Sequence, residues 1–190
     1  MESLFVQIEK DLKRRLDAHR YKHTIGVMYT AGALAMKYEA DINKAMLAGL
    51  LHDCAKCIPS DRKIKLCKKY NIRMTEVEQR NPFLLHAKLG AFIAAKKYNI
   101  EDDEIISAIL NHTTGKPDMG QLDKIIFLAD YIEPQRNKAT RLSEIRKTAF
   151  EDLDKAVALV MHDTLQYIQN FGGEIDPITK IAYDFYKEYL

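Results

Sequence analysis

Only three cysteines occur in the 190 residues, Cys54, Cys57 and Cys67. So few, and an odd number, exclude a disulfide framework and point to a reducing compartment. The N-terminal stretch Met1-Glu2-Ser3-Leu4-Phe5 has an acidic residue and no apolar h-region, so no signal peptide is expected. No run approaches the roughly 18 apolar residues of a membrane span. A cytoplasmic location without a membrane partner follows as the expectation. An excess of one charge is also lacking, since 29 Lys and Arg oppose 27 Asp and Glu for a formal net charge of +2. Whole-protein electrostatics therefore make no case for nucleic acid, and an anionic ligand would have to be held by local cations. There is no internal repeat, low-complexity tract or linker, and no sustained alternation of apolar and polar residues that would mark strands.

What remains is apolar residues at helical spacing along nearly the whole chain, which predicts one all-α domain over residues 1–190. Ser3 reads as the cap of a first helix with Leu4, Ile8, Leu12 and Leu16 on one face. A second helix opens near Arg20 and turns Val27, Ala31, Leu34 and Ala35 inward. Asp41 or Asn43 starts a third, and a short basic helix follows from Asp61 to Tyr70, its charges read as a solvated face. Asn81-Pro82 is a cap followed by a proline at the first helical position, and Asp102 or Asp103 caps the next helix. Further helices are expected over Gln121–Glu133, over one or two segments from Thr140 or Ser143 to Asn170, and after Asp176-Pro177. The expected organisation is a core over residues 20–136 with the helices of 140–190 packed on it.

The third helix carries the most informative stretch. Its apolar residues Met46, Leu47, Leu50 and Leu51 lead into His52-Asp53, and Gly49, His52, Asp53 and Lys56 are expected on one stripe. A carboxylate and an imidazole leaving an apolar element together need a partner. A divalent cation would serve; so would an Asp53–Lys56 pair beside a satisfied core histidine. Cys54 and Cys57 also form a CxxC, but no second CxxC and no βαβ context accompany it, and it reads as coincidence.

His23, His86, His112, Asp130 and, more weakly, Arg20 share this character of polar groups on or at the ends of apolar helices. Four histidines and two aspartates exceed the four ligands of a closed structural zinc site. They suit one octahedral metal with open positions, or two ions bridged by Asp53. His19 lies one turn before His23 but lacks the glutamate of an HExxH site, and His162-Asp163, with no later histidine, reads as surface.

The order His23, His52-Asp53, His86, His112, Asp130 resembles the HD-domain metal-dependent phosphohydrolase superfamily. More narrowly the chain is similar to the YqeK-type HD proteins, the symmetrical diadenosine tetraphosphate hydrolases of bacteria. The phrases that carry this are Arg20-Tyr-Lys-His23-Thr24, Gly49-Leu-Leu-His52-Asp53-Cys-Ala-Lys56, His86-Ala-Lys-Leu-Gly90-Ala, Asn111-His112-Thr113-Thr114-Gly115 and Leu128-Ala-Asp130-Tyr-Ile-Glu-Pro134-Gln-Arg136. The resemblance implies an all-α HD-type bundle, a homodimer, and cleavage of diadenosine tetraphosphate at its centre to two ADP. It places the metal on His23, His52, Asp53 and Asp130, with iron as the associated ion. It leaves His86 and His112 to a second metal or to the phosphates. The residue types themselves admit Fe, Mn, Co, Ni or Zn.

The chemistry expected of such a site is Lewis-acid activation of water and neutralisation of phosphate oxygens by the metal. Arg20, Lys56 and Arg136 are expected to clamp phosphate charge, with Thr113 donating a hydrogen bond beside them. His86, His112, Lys56 and Arg136 are thus the expected catalytic groups, and Asp53 and Asp130 border the substrate as well as the metal. The side-chain-poor loop Phe171-Gly172-Gly173 is the expected adenosine site. The competing functions are a deoxynucleoside monophosphatase, a guanosine tetra/pentaphosphate hydrolase, or a nucleotide sensor that binds without turnover.

Overall fold

The structure, a computed structural model, describes residues 4–190. Eleven α-helices and two short 3-10 segments make up its regular structure, with no strand among the described residues. In order they are α1 (Leu4–Arg15), α2 (Ala18–Lys37), α3 (Ile42–Leu51), α4 (Ser60–Lys69), α5 (Glu76–Arg80), α6 (His86–Lys97), α7 (Asp103–Asn111), α8 (Gln121–Ile132), α9 (Leu142–Ala149), α10 (Leu153–Asn170) and α11 (Pro177–Tyr186). Pro82–Leu85 and Lys187–Tyr189 are the 3-10 segments. No helix is long and apolar enough to cross a membrane.

Short polar side chains begin most of these helices. Asp17, Asp41, Asp102, Asp152 and Asp176 each accept a hydrogen bond from a backbone N–H of the first turn of their helix, satisfying donors that the helix itself leaves unpaired. Asp17 starts α2 ahead of the Arg20 start read from the periodicity. Ser3, the expected cap of α1, lies outside the described residues; of the face expected there, Ile8, Leu12 and Leu16 are buried and Leu4 is exposed. The segment read as one or two helices from Thr140 is two, α9 and α10. Helix α5 was not expected. It is held by a capping box in which Thr75 and Glu78 bond each other's backbone N–H.

Helix α2 runs through the middle, packed on α3 and α8, and α7 closes against α3, α6 and α8. Val27, Ala31, Leu34 and Ala35 of α2 are fully buried, as are Leu50, Leu51, Ile109, Ile125, Ile126 and Leu128 from its neighbours. Helices α9 and α10 cover the far side of α8, and α11 packs on α10. A smaller cluster of Ala55, Cys67, Leu85 and Leu89 seats α4 on α6.

Two expectations about local structure are corrected. Helix α3 stops at Leu51, so Lys56 does not share a helical stripe with Asp53. The chain instead makes tight turns, with Cys54 N–H donating to Leu51 O at 3.1 Å and Lys56 N–H to Asp53 O at 2.9 Å. His52 causes the break by donating Nδ1–H to Gly49 O at 2.7 Å, an acceptor that the next helical turn would use. The charge run of α4 is not wholly solvated either. Lys63 is only 4% exposed and donates to Lys56 O at 3.2 Å, bracing the turn that carries Lys56.

Candidate metal centre

Three of the four site histidines occupy the same local position. His52 ends α3, His86 ends the 3-10 segment before α6, and His112 ends α7. Each turns its ring back and donates Nδ1–H to the carbonyl three residues earlier: Gly49 at 2.7 Å, Phe83 at 2.6 Å and Ile109 at 2.7 Å. For His52 and His112 the acceptor is a carbonyl of a helix's last turn, which lacks an intrahelical donor; Phe83 O already accepts the His86 backbone N–H and takes the ring as a second donor. A carbonyl can only accept, so Nδ1 carries a proton and Nε2, on the other side of the ring, is the nitrogen left for a metal or an acidic partner. His23, inside α2, stands between two carboxylates: Nδ1 lies 3.0 Å from Glu133 Oε1 and Nε2 3.0 Å from Asp130 Oδ1, so a metal taking Nε2 would leave the Nδ1–H aimed at Glu133.

The four Nε2 atoms converge with two carboxylates. His23 Nε2 stands 3.0 Å from Asp130 Oδ1, and His52 Nε2 stands 3.4 Å from Asp53 Oδ2 and 3.9 Å from Asp130 Oδ1. On the other side of Asp53, Oδ1 lies 3.2 Å from His86 Nε2 and 3.6 Å from His112 Nε2. His86 and His112 bring their Nε2 atoms to 3.1 Å from each other. Asp53 is thus the centre of the arrangement, showing one oxygen to His23 and His52 and the other to His86 and His112.

In the Nδ1-protonated neutral form that binds metals, these rings would set lone pairs against the carboxylates' lone pairs. His23 Nε2, His52 Nε2 and Asp53 Oδ1 are buried and have no hydrogen-bond partner, and each such group costs about 1–3 kcal/mol. A divalent cation resolves the conflict, since it is the one partner that every bare donor there can share. Donor atoms of His23, His52 and Asp130, and separately of His52, Asp53 and His112, lie within 4.8 Å of one another. The donor set of neutral imidazole and carboxylate therefore fits a borderline divalent metal. Each imidazole already has its outer N–H bound, as a metal-ligating histidine requires. The C-terminal ends of α3 and α7 add partial negative charge on the same side.

Burial acts to raise the Asp53 carboxyl, but with no metal present, charge and hydrogen bonding from the His52, His112 and His86 imidazoles outweigh it and hold the group well below the usual carboxylate range. Asp130 follows the same pattern, with burial opposed by His23, His52 and Arg136. Burial pushes His86 down to about 4, with Asp53 opposing, so its ring is neutral at physiological pH.

Cations ring this core. Arg20 Nη1 donates to Asp53 Oδ2 at 2.7 Å, Arg136 Nη2 donates to Asp130 Oδ1 at 2.6 Å, and Lys56 Nζ lies 3.1 Å from His86 Nε2 and 3.7 Å from Asp53 Oδ1. Thr113 Oγ1 stands 3.1 Å from both His86 Nε2 and His112 Nε2. Arg20, Lys56 and Arg136 are partly exposed, with side chains 22%, 32% and 43% accessible. They open onto a cleft of about 600 Å³ that His23, His112 and Asp130 help to line, a volume within the usual range for small-molecule sites. A separate apolar groove of about 710 Å³ between α2 and the α8–α9 side carries none of these ligands.

The fold brings together all of the sequence-derived candidates except one group. Phe171 is 75% exposed and stacks at 4.6 Å on Tyr167, which lines the cleft; Phe171, Gly172 and Gly173 do not line it. Gly172 has φ +66°, the left-handed conformation that ends α10. The reading of His162-Asp163 as surface is corrected for Asp163. Its side chain is 12% exposed, receives the Arg141 guanidinium at 2.5 Å, and lines the cleft, because α10 turns this face toward the end of α8. His162 meets the Tyr183 hydroxyl at 3.0 Å instead. His19, set aside as a metal ligand, stands at the mouth of the cleft. Glu133, 1% exposed, was missed as a functional residue; its sequence signal is its place three residues after Asp130, one turn further along α8.

Comparison with known proteins agrees with this geometry. A symmetrical bis(5'-nucleosyl)-tetraphosphatase of Bacillus subtilis (strain 168) is 35% identical over 174 residues, 92% of each chain. A relative of the same name from Halalkalibacterium halodurans is 39% identical over 173 residues, 91% of each chain. A crystal structure from Clostridium acetobutylicum, described as a predicted HD superfamily hydrolase involved in NAD metabolism, superposes with a TM-score of 0.94 at 39% identity and covers both chains fully. The family model described as HD domain matches residues 20–135, a span that begins at Arg20 and contains all four site histidines and both aspartates. The chain belongs to the HD-domain family.

Proposed function

We propose that this protein is a metal-dependent hydrolase that cleaves diadenosine tetraphosphate symmetrically, adding one water and releasing two ADP. The observation that carries the reading is the convergence of imidazole nitrogens and carboxylates at a cleft ringed by Arg20, Lys56 and Arg136. The substrate is a small-molecule nucleotide, consistent with the names of the relatives. The whole chain acts as one HD unit, with the core over residues 20–136 and the later helices walling the cleft.

In this reading His23, His52, Asp53 and Asp130 hold the metal. When bound there, a divalent cation supplies Lewis-acid charge and lowers the pKa of a water in its coordination sphere. The remaining residues position the anhydride. Arg20 and Arg136 now donate to Asp53 and Asp130 and lie where they can turn to phosphate oxygens across the cleft mouth. Lys56, His86, His112 and Thr113 form a second group beside Asp53 Oδ1. Lys56 neutralises the bridging phosphates, and Thr113 and the histidines orient the scissile group. ADP is a good leaving group, so no strong general acid is required.

Iron is the metal implied by the resemblance; Mn, Co, Ni and Zn suit the same donors. The position of Lys56 Nζ on His86 Nε2 favours one ion at the first four residues, with His86 and His112 given to phosphate. A homodimeric, cytoplasmic protein without nucleic-acid or membrane partners completes the proposal. The adenosine lies along the α10 wall, approaching Phe171-Gly172-Gly173 through Tyr167.

The test is a substrate panel of diadenosine tetraphosphate, deoxynucleoside monophosphates and guanosine tetraphosphate, run with Fe, Mn or Co and analysed by chromatography. ADP as sole product from the dinucleotide, at a rate far above the other substrates, is the expected result. AMP with ATP as products, or a preference for a monophosphate, would reject it.

A further inference from the structure

We infer that Glu133 is a positioning residue that sets the orientation and donor strength of His23, and that Gly26 exists to admit its carboxylate. The inference rests on His23 being a metal ligand as proposed above.

The four site imidazoles are not equivalent. The Nδ1 atoms of His52, His86 and His112 face neutral backbone carbonyls, whereas that of His23 faces a carboxylate, Glu133 Oε1, at 3.0 Å, which takes its Nδ1–H when Nε2 is on the metal. A charged acceptor pulls the Nδ1 proton more strongly and leaves Nε2 the better electron donor, as in carboxylate–histidine–metal arrangements generally. His23 is also the one of the four within a helix interior, where no free helix-end carbonyl lies three residues back. Without Glu133 its ring would have no fixed partner on that side.

Glu133 is itself tightly held. It is 1% exposed, and Oε2 accepts the Gln135 backbone N–H at 2.7 Å. Its own backbone N–H bonds Ala129 O at 3.1 Å, and Arg146 donates to its carbonyl at 2.8 Å. The carboxylate reaches His23 over Gly26, where a Cβ would stand 2.6 Å from Oε2 and 3.2 Å from the carboxylate carbon. Real Cβ atoms do not approach that closely, and this glycine has an ordinary helical backbone, so space for the Glu133 carboxylate is what its missing side chain provides. Gly26 sits within α2, where glycine costs about 1 kcal/mol relative to alanine.

The experiment measures Co²⁺ affinity of the full chain by competition with a chromophoric chelator, with the visible spectrum of the Co²⁺ form and the melting temperature of the metal-free form. Glu133→Gln and Gly26→Ala are each expected to weaken binding about 10–100-fold and to shift the spectrum. The metal-free melting temperature should change little for Glu133→Gln. His23→Ala is the control. If Glu133→Gln binds Co²⁺ within twofold of the native protein with the same spectrum while His23→Ala loses it, the inference fails and the site reading stands. If His23→Ala itself binds as tightly as the native chain, both fall together. Should Glu133→Gln not fold, proton and nitrogen-15 NMR of the Zn²⁺-bound native protein decides. A strongly deshielded, slowly exchanging His23 Nδ1–H supports the role, and an Nδ1–H in free exchange with water overturns it.

Discussion

Gly49 of α3 meets Met28 of α2 so closely that a Cβ on the glycine would stand 3.0 Å from Met28 Cα and 3.2 Å from its backbone nitrogen. Backbone cannot yield as a flexible side chain does, so this contact sets how near α2 and α3 run. That approach brings the His23 and His52 rings to 5.4 Å between centroids. Gly49→Ala is therefore expected to lower stability by about 1–3 kcal/mol, as overpacking does, and to weaken metal binding. Urea denaturation with metal titration checks both; an alanine variant of native stability and affinity would show that the helices can part freely.

Asp53→Ala removes the carboxylate that faces both pairs of histidines. Metal content and turnover should fall together, the latter by at least about 10³-fold, because metal catalysis supplies several kcal/mol. Helical circular dichroism should persist. Elemental analysis of the purified variant beside product chromatography reads the outcome, and retained turnover would contradict the assignment.

Lys56→Ala separates substrate from metal. The amine touches His86 and Asp53 but is not among the proposed ligands, so metal content should stay native. kcat/KM should drop about 10–100-fold, the worth of one charged hydrogen bond. Unaltered kinetics would remove Lys56 from the phosphate path.

Metal removal should also be visible in stability. Because the bare nitrogens conflict only in the folded state, an ion at 100 times its Kd adds about 2.7 kcal/mol. For a chain of this length that is a melting temperature about 5–10 °C above the chelated form. Calorimetry with and without chelator measures it.

Far from the site, Asp11 accepts from Lys97 and, at 2.8 and 2.6 Å, from Arg15 and Tyr98, tying α1 to the end of α6. Burial acts to raise its carboxyl, but these donors prevail and lower it well below the usual carboxylate range. A lowered folded-state pKa contributes stability above the unfolded value near 4 and loses it as pH falls toward the folded value. Asp11→Asn should thus cost on the order of 1 kcal/mol at pH 7 after allowance for solvent screening. The gap to the native protein should narrow below about pH 4 in urea titrations at both pH values.

Much of this was written in local pattern. Asp41, Asp102 and Asp176 announce their helices because an aspartate cap acts on backbone one turn away. The apolar face of α2 read correctly because burial repeats with the helical period. Thr75 and Glu78 carried an equally local signal for α5 that periodicity alone passes over. Lys63 and Asp163 were misread because a charged side chain looks solvated until a neighbouring element covers it. Here the 52–58 turn covers Lys63, and α10, packed with α8 and α9, carries Asp163 into the cleft wall.

The amino-acid order alone determined the helical class, the family resemblance, and the presence of His23, His52, Asp53, His86, His112 and Asp130, since these depend on residue type and short-range spacing. Only the tertiary structure decided which oxygen of Asp53 faces which histidines, that Glu133 lies behind His23, and that α10 walls the cleft. Those relations join residues separated by up to 110 positions, and close helix packing, not local propensity, sets such distances.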